Sequence, residues 1–494
     1  MVLRPLLGPA VLRPASQHAV RRFPGTPMRA ALFSTSRLQL QRVAALVVGA
    51  GPAGVATVGS LLDHLPSSPT VTWVDPDFAG GRISRRYREV PGNTRTKLFV
   101  DYARSSHALD HVIKTSPTPN PVTILESLPP NDTCSLGYAG DMVSMLIGGL
   151  AANPAIDCRQ GRVTTAQWDA GSQEWSVTID DPASNSSVTR QTPLLVYCTG
   201  ASPTLVQLPA ADSATFLPSP TSRPKLLELD TALKPSLLAT SLFPASSTAS
   251  SSAPQITVGV IGASHSAILV LMNLYNLAAH SPAHANLRVR WFSRVPADKS
   301  LKYAVYKDAG WILYDNTGLK GRAADFAREN LDNQEVLARS PVGKIVERID
   351  CSGGRDNEAA AFRKYLVGST TGTHGGCDYV VQAVGFTTDP LPSMLQANST
   401  SDKNIISPLF DHETGAFHNK NTGEVLPGLH GAGIAFPERV VDPEGNVEHA
   451  VGFYKFVKFL KRAVPQWVSA VYPNAACQEN TIPGARVERA AANA

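Results

Sequence analysis

The chain has 494 residues, 43% of them apolar and 17% charged, a globular composition with length enough for two or three domains, which excludes disordered and coiled-coil classes. Lys and Arg number 45 against 40 Asp and Glu, a net charge of +5, but residues 1–42 hold seven Arg, no Lys and no acid, so the remainder is net −2; no nucleic-acid footprint is written in bulk charge. Six Cys with no C-x-x-C pair and no finger spacing exclude a secreted disulfide scaffold, a zinc ribbon and a dithiol redox centre.

The first element in chain order is this Arg-rich, acid-free leader, interspersed with Ser and Leu. It has the composition of a mitochondrial presequence, and import into the matrix is the expectation. Five Pro before residue 28 shorten any amphipathic helix and place it at about Met28–Leu40; a basic leader without an address is the alternative. Two later stretches, Val43–Leu62 and Ile256–Ala279, carry no Asp, Glu, Lys or Arg and have the length of a membrane span. Each is a β-branched run, a Gly-rich break and a helix-forming run, so a strand–turn–helix buried on all sides accounts for the missing charge, and neither is read as a span.

The first break is Gly49-Ala50-Gly51-Pro52-Ala53-Gly54, a G-x-G-x-x-G between a strand and a helix. Gly49 allows the tight turn, Gly51 lets the backbone approach a pyrophosphate, and Gly54 lets helix and strand pack closely. A second strand, Val71–Val74, ends in Asp75, 21 residues beyond Gly54, where a carboxylate accepts from an adenosine ribose hydroxyl. The second break is Gly262-Ala263-Ser264-His265-Ser266-Ala267, with small residues in place of the later glycines. Its following strand, Leu287–Phe292, ends in Ser293-Arg294; a hydroxyl and a guanidinium there suit a 2′-phosphate and favour NADPH over NADH, although Arg294 also reads as a solvated strand-end charge. His265 either touches NADPH phosphates or packs. FAD in the first fold and NADPH in the second is the economical pairing, because hydride then passes from nicotinamide to flavin.

With these motifs, residues 43–465 resemble the two-dinucleotide-binding-domain flavoproteins, the superfamily of pyridine nucleotide-disulfide oxidoreductases, flavin-containing monooxygenases and ornithine/lysine N-hydroxylases. Further support comes from Gly80-Gly81, from Tyr197-Cys198-Thr199-Gly200 and from Val380–Phe386 with Gly385. The last two are similar to the crossovers that leave and re-enter the FAD domain in this group. Pro427–Gly433 is similar to its last FAD motif, with Ile434 where the disulfide reductases have Asp. The segment Tyr87–Tyr102, YREVPGNTRTKLFVDY, resembles the N-T-x-x-K…D-[FY] segment of flavin-containing monooxygenases and places the chain nearest that branch and the N-hydroxylases. The resemblance implies that Asn93 lies at the reactive edge of the isoalloxazine, its amide donating there or orienting NADP⁺, and that Lys97 adds positive potential for developing anionic oxygen; a Pro-Gly-Asn surface turn with a solvated Lys is the alternative.

His107 and His111 share a helical face in HALDH but lack a third ligand, so a polar face is expected and no metal. Leu301–Asp332 suggests no role. Phe453, Phe456, Val457 and Leu460 recur at helical spacing within Val447–Arg462, with Lys455, Lys458, Lys461 and Arg462 largely on another face; this is either the terminal helix of the FAD domain or a basic helix lying on an anionic membrane. Loops are expected at 181–193 and 244–254 and a weakly structured tail from about 471.

The expected architecture is α/β with two Rossmann-like domains. A FAD domain comes from 43–205 and 378–470, a connecting segment occupies 206–253, and an NADPH domain is inserted at 254–377. The expected activity is that of an NADPH-dependent flavin monooxygenase acting on O₂ and a small amine or sulfide. Its rivals are a mitochondrial NAD(P)H dehydrogenase feeding a quinone or protein acceptor, and a cofactor-sensing protein. Fold alone does not choose among them.

Overall fold

A computed structural model describes residues 41–473 except 67–68, 209–223, 244–254, 369–374 and 398–402. The expected presequence, apart from its last two residues, the expected loop at 244–254 and nearly all of the tail lie outside the described residues.

Both uncharged stretches fold as strand–turn–helix. Ala45–Val48 runs into Pro52–His64 and Ile256–Ile261 into His265–His280. Each strand is the hub of a parallel sheet and is flanked on both sides, which is why it reads as an unbroken apolar run. In the first sheet the order is 408–410, 416–419, 425–431, 195–197, 45–48, 71–75, 156–160, parallel from 425–431 onward. In the second it is 225–226, 379–382, 256–261, 287–293, 346–350, parallel throughout. The three strands around each hub therefore repeat one plan, a returning strand on one side and, on the other, the strand after the hub's helix followed by a third strand. No described helix is long and apolar enough to cross a membrane.

Helices cover one face of the first sheet. Phe453–Val471 packs on Pro52–His64, burying Phe453, Phe456, Val457 and Leu460, so the terminal helix caps its own domain. The other face is covered by a meander of 162–169, 174–181 and 186–192, where Trp168, Trp175 and Ile179 meet Leu46, Val74 and Tyr197. The expected loop at 181–193 is thus mostly strand, with only 182–185 turning. Its Ser and Thr residues line an outer strand, where one side meets solvent and alternation needs few apolar residues.

The second domain is larger than expected. Strand Tyr379–Gln382 lies beside Ile256–Ile261 and belongs to this sheet, and Leu229, Leu233, Leu238 and Leu242 bury against Val258, Leu271 and Val289. The domain runs from about 225 to 384, so the expected boundary at 377/378 and the unassigned connector at 206–253 are corrected. The reason is the repeat itself: Val380–Gly385 plays for the second sheet the part that 195–200 plays for the first. The two chain crossings then pair with each other, Ala201–Pro203 antiparallel to Phe386–Thr388, as a two-stranded hinge.

Candidate functional site

In the first loop Gly49 has φ +109°, and a Cβ there would stand 2.4 Å from the Cys198 carbonyl oxygen; only glycine takes this position. A Cβ on Gly54 would lie 1.9 Å from the Gly49 oxygen, whereas a Cβ on Gly51 would meet nothing within 4 Å. The helix that opens at Pro52 and Ala53 has no capping side chain, so its first amides remain for an anion. Gly81 brings its backbone against Gly51, its hypothetical Cβ 3.2 Å from the Gly51 Cα, while Gly80 N-caps the short helix Gly81–Arg86. Gly433 abuts Ala53 from the far side, and Thr199, beside Gly200, holds a sealed Oγ1 with no partner. An open backbone notch, uncapped amides and an orphaned hydroxyl fit a dinucleotide here.

Asp75 stands at the expected strand end, and much of its carboxylate is already used. Oδ2 accepts from Ala50 N at 2.7 Å, and Oδ1 from Asp77 N at 3.0 Å and Phe78 N at 2.8 Å. A carboxylate offers about four acceptor positions, so room is left for one ribose hydroxyl, and the residue also braces the glycine loop.

The second loop repeats this geometry. Gly262 has φ +124°, and a Cβ there would stand 2.3 Å from the Ala383 oxygen. Ser264 N-caps the helix through its backbone alone, with no side-chain bond, and Ala267 is fully buried where the third glycine would be. Gly385 closes the hinge side, its carbonyl accepting from Thr204 N at 2.9 Å. A brace common to both folds is invisible to the glycine pattern: Trp73 Nε1 donates to Gly49 O at 2.9 Å, and Trp291 Nε1 to Gly262 O at 2.7 Å. The two tryptophans sit two residues before Asp75 and Ser293, and that shared register, V-x-W in both second strands, was the available signal.

Ser293 is fully buried, its Oγ accepting from Val295 N at 3.1 Å, and so is turned inward rather than toward a phosphate. Arg294 is exposed and held by both oxygens of Glu358 at 2.8–2.9 Å. A 2′-phosphate would have to displace that carboxylate. Ser266 lies in the first helical turn beside His265. The Nδ1 of His265 is sealed from solvent without a partner, and burial, then the nearby Lys320 ammonium, push its pKa down to about 4.

Asn93 is not in a turn. It is half-buried in strand Pro91–Arg95, which pairs with Thr133–Ser135, and Gly321 at the start of a second-domain helix approaches the neighbouring Gly92 oxygen. Asn93 therefore lies where the two domains meet. Lys97 points to solvent and is paired with Asp101 at 2.6 Å, one helical turn on; the structure does not bring it into the site. His107 and His111 are exposed, and no cluster of metal-ligating residues occurs among the described residues.

The junction buries Val90 of the first domain in the second domain's apolar cluster and carries polar contacts on either side. On one side Arg82, next to Gly81, pairs with buried Asp230 of the second domain and donates to Ser202 at 3.1 Å, while Tyr87 OH donates to Asp230 at 2.9 Å. On the other, the segment without an expected role supplies the contacts. Asp315 binds Lys320 at 2.9 Å and Lys455 at 2.7 Å, and Glu448 accepts from Asn316 N at 2.9 Å and from Thr317.

Among curated proteins the chain is 46% identical over 430 residues to "Monooxygenase AgnR1" from Paecilomyces divaricatus, spanning 87% of this chain and 99% of that one. The chain belongs to this monooxygenase family. It is an oxidoreductase of that kind, and the dehydrogenase alternative is not favoured. No family model matches it. Solved structures similar to this monooxygenase include the open form of cyclohexanone monooxygenase, at 14% identity and TM-score 0.48 over 89% of this chain and 88% of that one. The bacillithiol disulfide reductase Bdr (YpdA) from Staphylococcus aureus is another, at 11% identity and TM-score 0.45 over 89% and 100%.

Proposed function

We propose that the protein inserts one atom of O₂ into a small nucleophilic substrate, an amine or a sulfide, using NADPH, and that it does so in the mitochondrial matrix. The observation that carries the reading is the pair of matched, tryptophan-braced dinucleotide loops joined by a two-stranded hinge, with Asn93 on the seam between them. FAD, when bound and reduced by NADPH, supplies the oxygen-activating chemistry. The chain's residues bind and orient. Gly49, Gly51, Gly54 and Gly81 admit the FAD pyrophosphate, Asp75 takes the ribose, and Thr199 and Gly433 line the far side. Gly262, Ser264, Ser266 and Ala267 admit NADPH. The Asn93 amide does not titrate, so it donates or accepts at the reacting edge at any working pH.

The test is turnover of the full chain with NADPH and ¹⁸O₂, with thioanisole and benzylamine as probes. Oxygen label in the product, with Asn93→Ala cutting label per NADPH by about tenfold or more while peroxide release rises, supports the reading. NADPH oxidation that delivers electrons to a quinone and no label to either probe overturns it. A fluorescent protein carrying residues 1–42 that stays in the cytosol removes the matrix assignment alone.

A further inference from the structure

His265 is the first residue of a 16-residue helix whose N-terminus has no side-chain cap. Its ring Nδ1 is sealed from solvent and has no hydrogen-bond partner. A sealed, unpartnered ring nitrogen is costly to keep in a folded protein, and here it stands beside amides that are themselves open to an anion. The charge acting on the ring is Lys320, from the turn before the helix Gly321–Asn330. Lys320 is fixed there by the Asp315 carboxylate and main-chain oxygen at 2.9 and 2.7 Å, and Asp315 is shared with Lys455 of the terminal helix. Of the other helices packed on His265–His280, the short helix Leu229–Ala232 carries Asp230, which is occupied by Arg82 and Tyr87 and meets the long helix further along, where Asn273 donates to Ala232 O. Arg322 and Asp325 follow Lys320 on its own helix. Everything presented to the imidazole in the ligand-free protein thus favours its neutral form: the positive end of its own helix, an ammonium, and burial.

We propose that His265 takes up a proton when NADP(H) binds, so that the second dinucleotide site is proton-linked. The inference rests on the reading of that fold as the NADPH site. A pyrophosphate on the open first-turn amides brings negative charge next to the ring and reverses the sign of its surroundings. An opposite charge at that range raises a pKa by about 1–3, which carries the imidazole from about 4 to about 5–7. Affinity then rises as pH falls, because the complex binds a proton that the free protein does not. The dependence lies between about pH 7 and pH 4, at up to about tenfold per pH unit.

Isothermal titration of NADP⁺ into the FAD-loaded full chain at pH 6.0, in two buffers of different ionisation enthalpy, reads the number of protons taken up. The 2′-phosphate of NADP⁺ titrates near the same pH, so the same measurement on His265→Asn gives the part that does not come from the ring. The expected result is an excess of about half a proton for the natural protein at pH 6.0, vanishing by pH 8, with Lys320→Met enlarging the excess at pH 6.0, because the complexed ring loses an opposing charge while the free ring, still held down by burial, stays neutral. Equal proton numbers for the natural protein and His265→Asn overturn the inference and leave the NADPH reading standing. Absence of any NADP⁺ binding between pH 6 and 8 overturns both.

Discussion

Replacing Asp230 by alanine removes the centre of one of the two polar clusters at the domain junction. Its carboxylate is 9% exposed and serves Arg82, at 32% exposure, and the Tyr87 hydroxyl at 2.9 Å; Arg86 adds a distant contact at 3.9 Å. Breaking a fully buried ion pair costs about 3–5 kcal/mol, and an exposed one is worth less than about 1 kcal/mol. Partial exposure of Arg82 puts its share near 2 kcal/mol, and the hydrogen bond from half-buried Tyr87 adds about 1 kcal/mol. The expected loss is therefore about 3 kcal/mol. At about 2.1 cal/mol/K per residue, cooperative melting of roughly 430 residues turns this into a Tm drop of about 3 °C. If the second domain, roughly 160 residues, melts by itself, the drop is about 9 °C in that transition alone. Scanning calorimetry separates the cases, and Tyr87→Phe, which deletes only the hydroxyl, is expected to give about a third of the effect. An Asp230→Ala protein melting within 1 °C of the natural one in every transition would refute the account of the junction.

Gly51→Ala is expected to fold and melt normally, since nothing stands near its added methyl, yet to purify without flavin; Gly49→Ala, whose methyl would meet the Cys198 oxygen at 2.4 Å, is expected to lose soluble protein as well. Absorbance at 450 nm against protein yield distinguishes the two, and equal behaviour would be contrary. His430 is buried against Trp467, ring centroids 4.5 Å apart, with burial pushing its pKa down to about 3. An unfolded histidine titrates near 6.5, so the folded state loses stability as pH falls from about 6.5 toward 3, by about 1.4 kcal/mol per unit from this group. His430→Phe should flatten the fall of the urea midpoint between pH 6 and 4; an unchanged slope goes against it. Lys97→Ala is expected to leave label incorporation and Tm unchanged, because the side chain meets only Asp101 and solvent; a tenfold fall in turnover would return it to the site.

Much of the fold was legible because the two strand–turn–helix units are local. An apolar run, a glycine break and a helix-forming run within a single stretch state their own structure, and both resolve as read. The register of Trp73 and Trp291 is equally local, but it becomes visible only when the second strands are compared with each other. What escaped depends on residues far apart in sequence. Val380–Val384 reads as a returning strand, yet only its pairing with Ile256–Ile261 assigns it to the second sheet. Asp230 and Arg82 are 148 residues apart, and Asp315 and Lys455 are 140 apart; no spacing rule connects such pairs. The terminal strand residues show another thing that spacing leaves out. Ser293 and Arg294 have the chemistry of a phosphate site, but Val295 and Glu358 already use it.

The composition of the junction bears on how the two halves work together. Each domain keeps an apolar core, one around Leu61, Leu109 and Leu146 and the other around Leu271, Leu274 and Trp291; Val90 of the first domain is buried in the second cluster, and ion pairs and hydrogen bonds add directional contacts across the junction. Apolar contact is non-directional and tolerates sliding; a carboxylate shared by Lys320 and Lys455, or by Arg82 and Tyr87, is satisfied in one relative placement only. Such pairs contribute little net stability against a hydrophobic alternative and more to geometric definition. The rigid cores hold each glycine loop in shape, the paired strands 201–203 and 386–388 carry the crossing, and the polar clusters fix where the second loop stands relative to Asn93. On the proposed reading, in which hydride passes between nucleotides bound in different domains, orientation has to be specified across the seam rather than within either core.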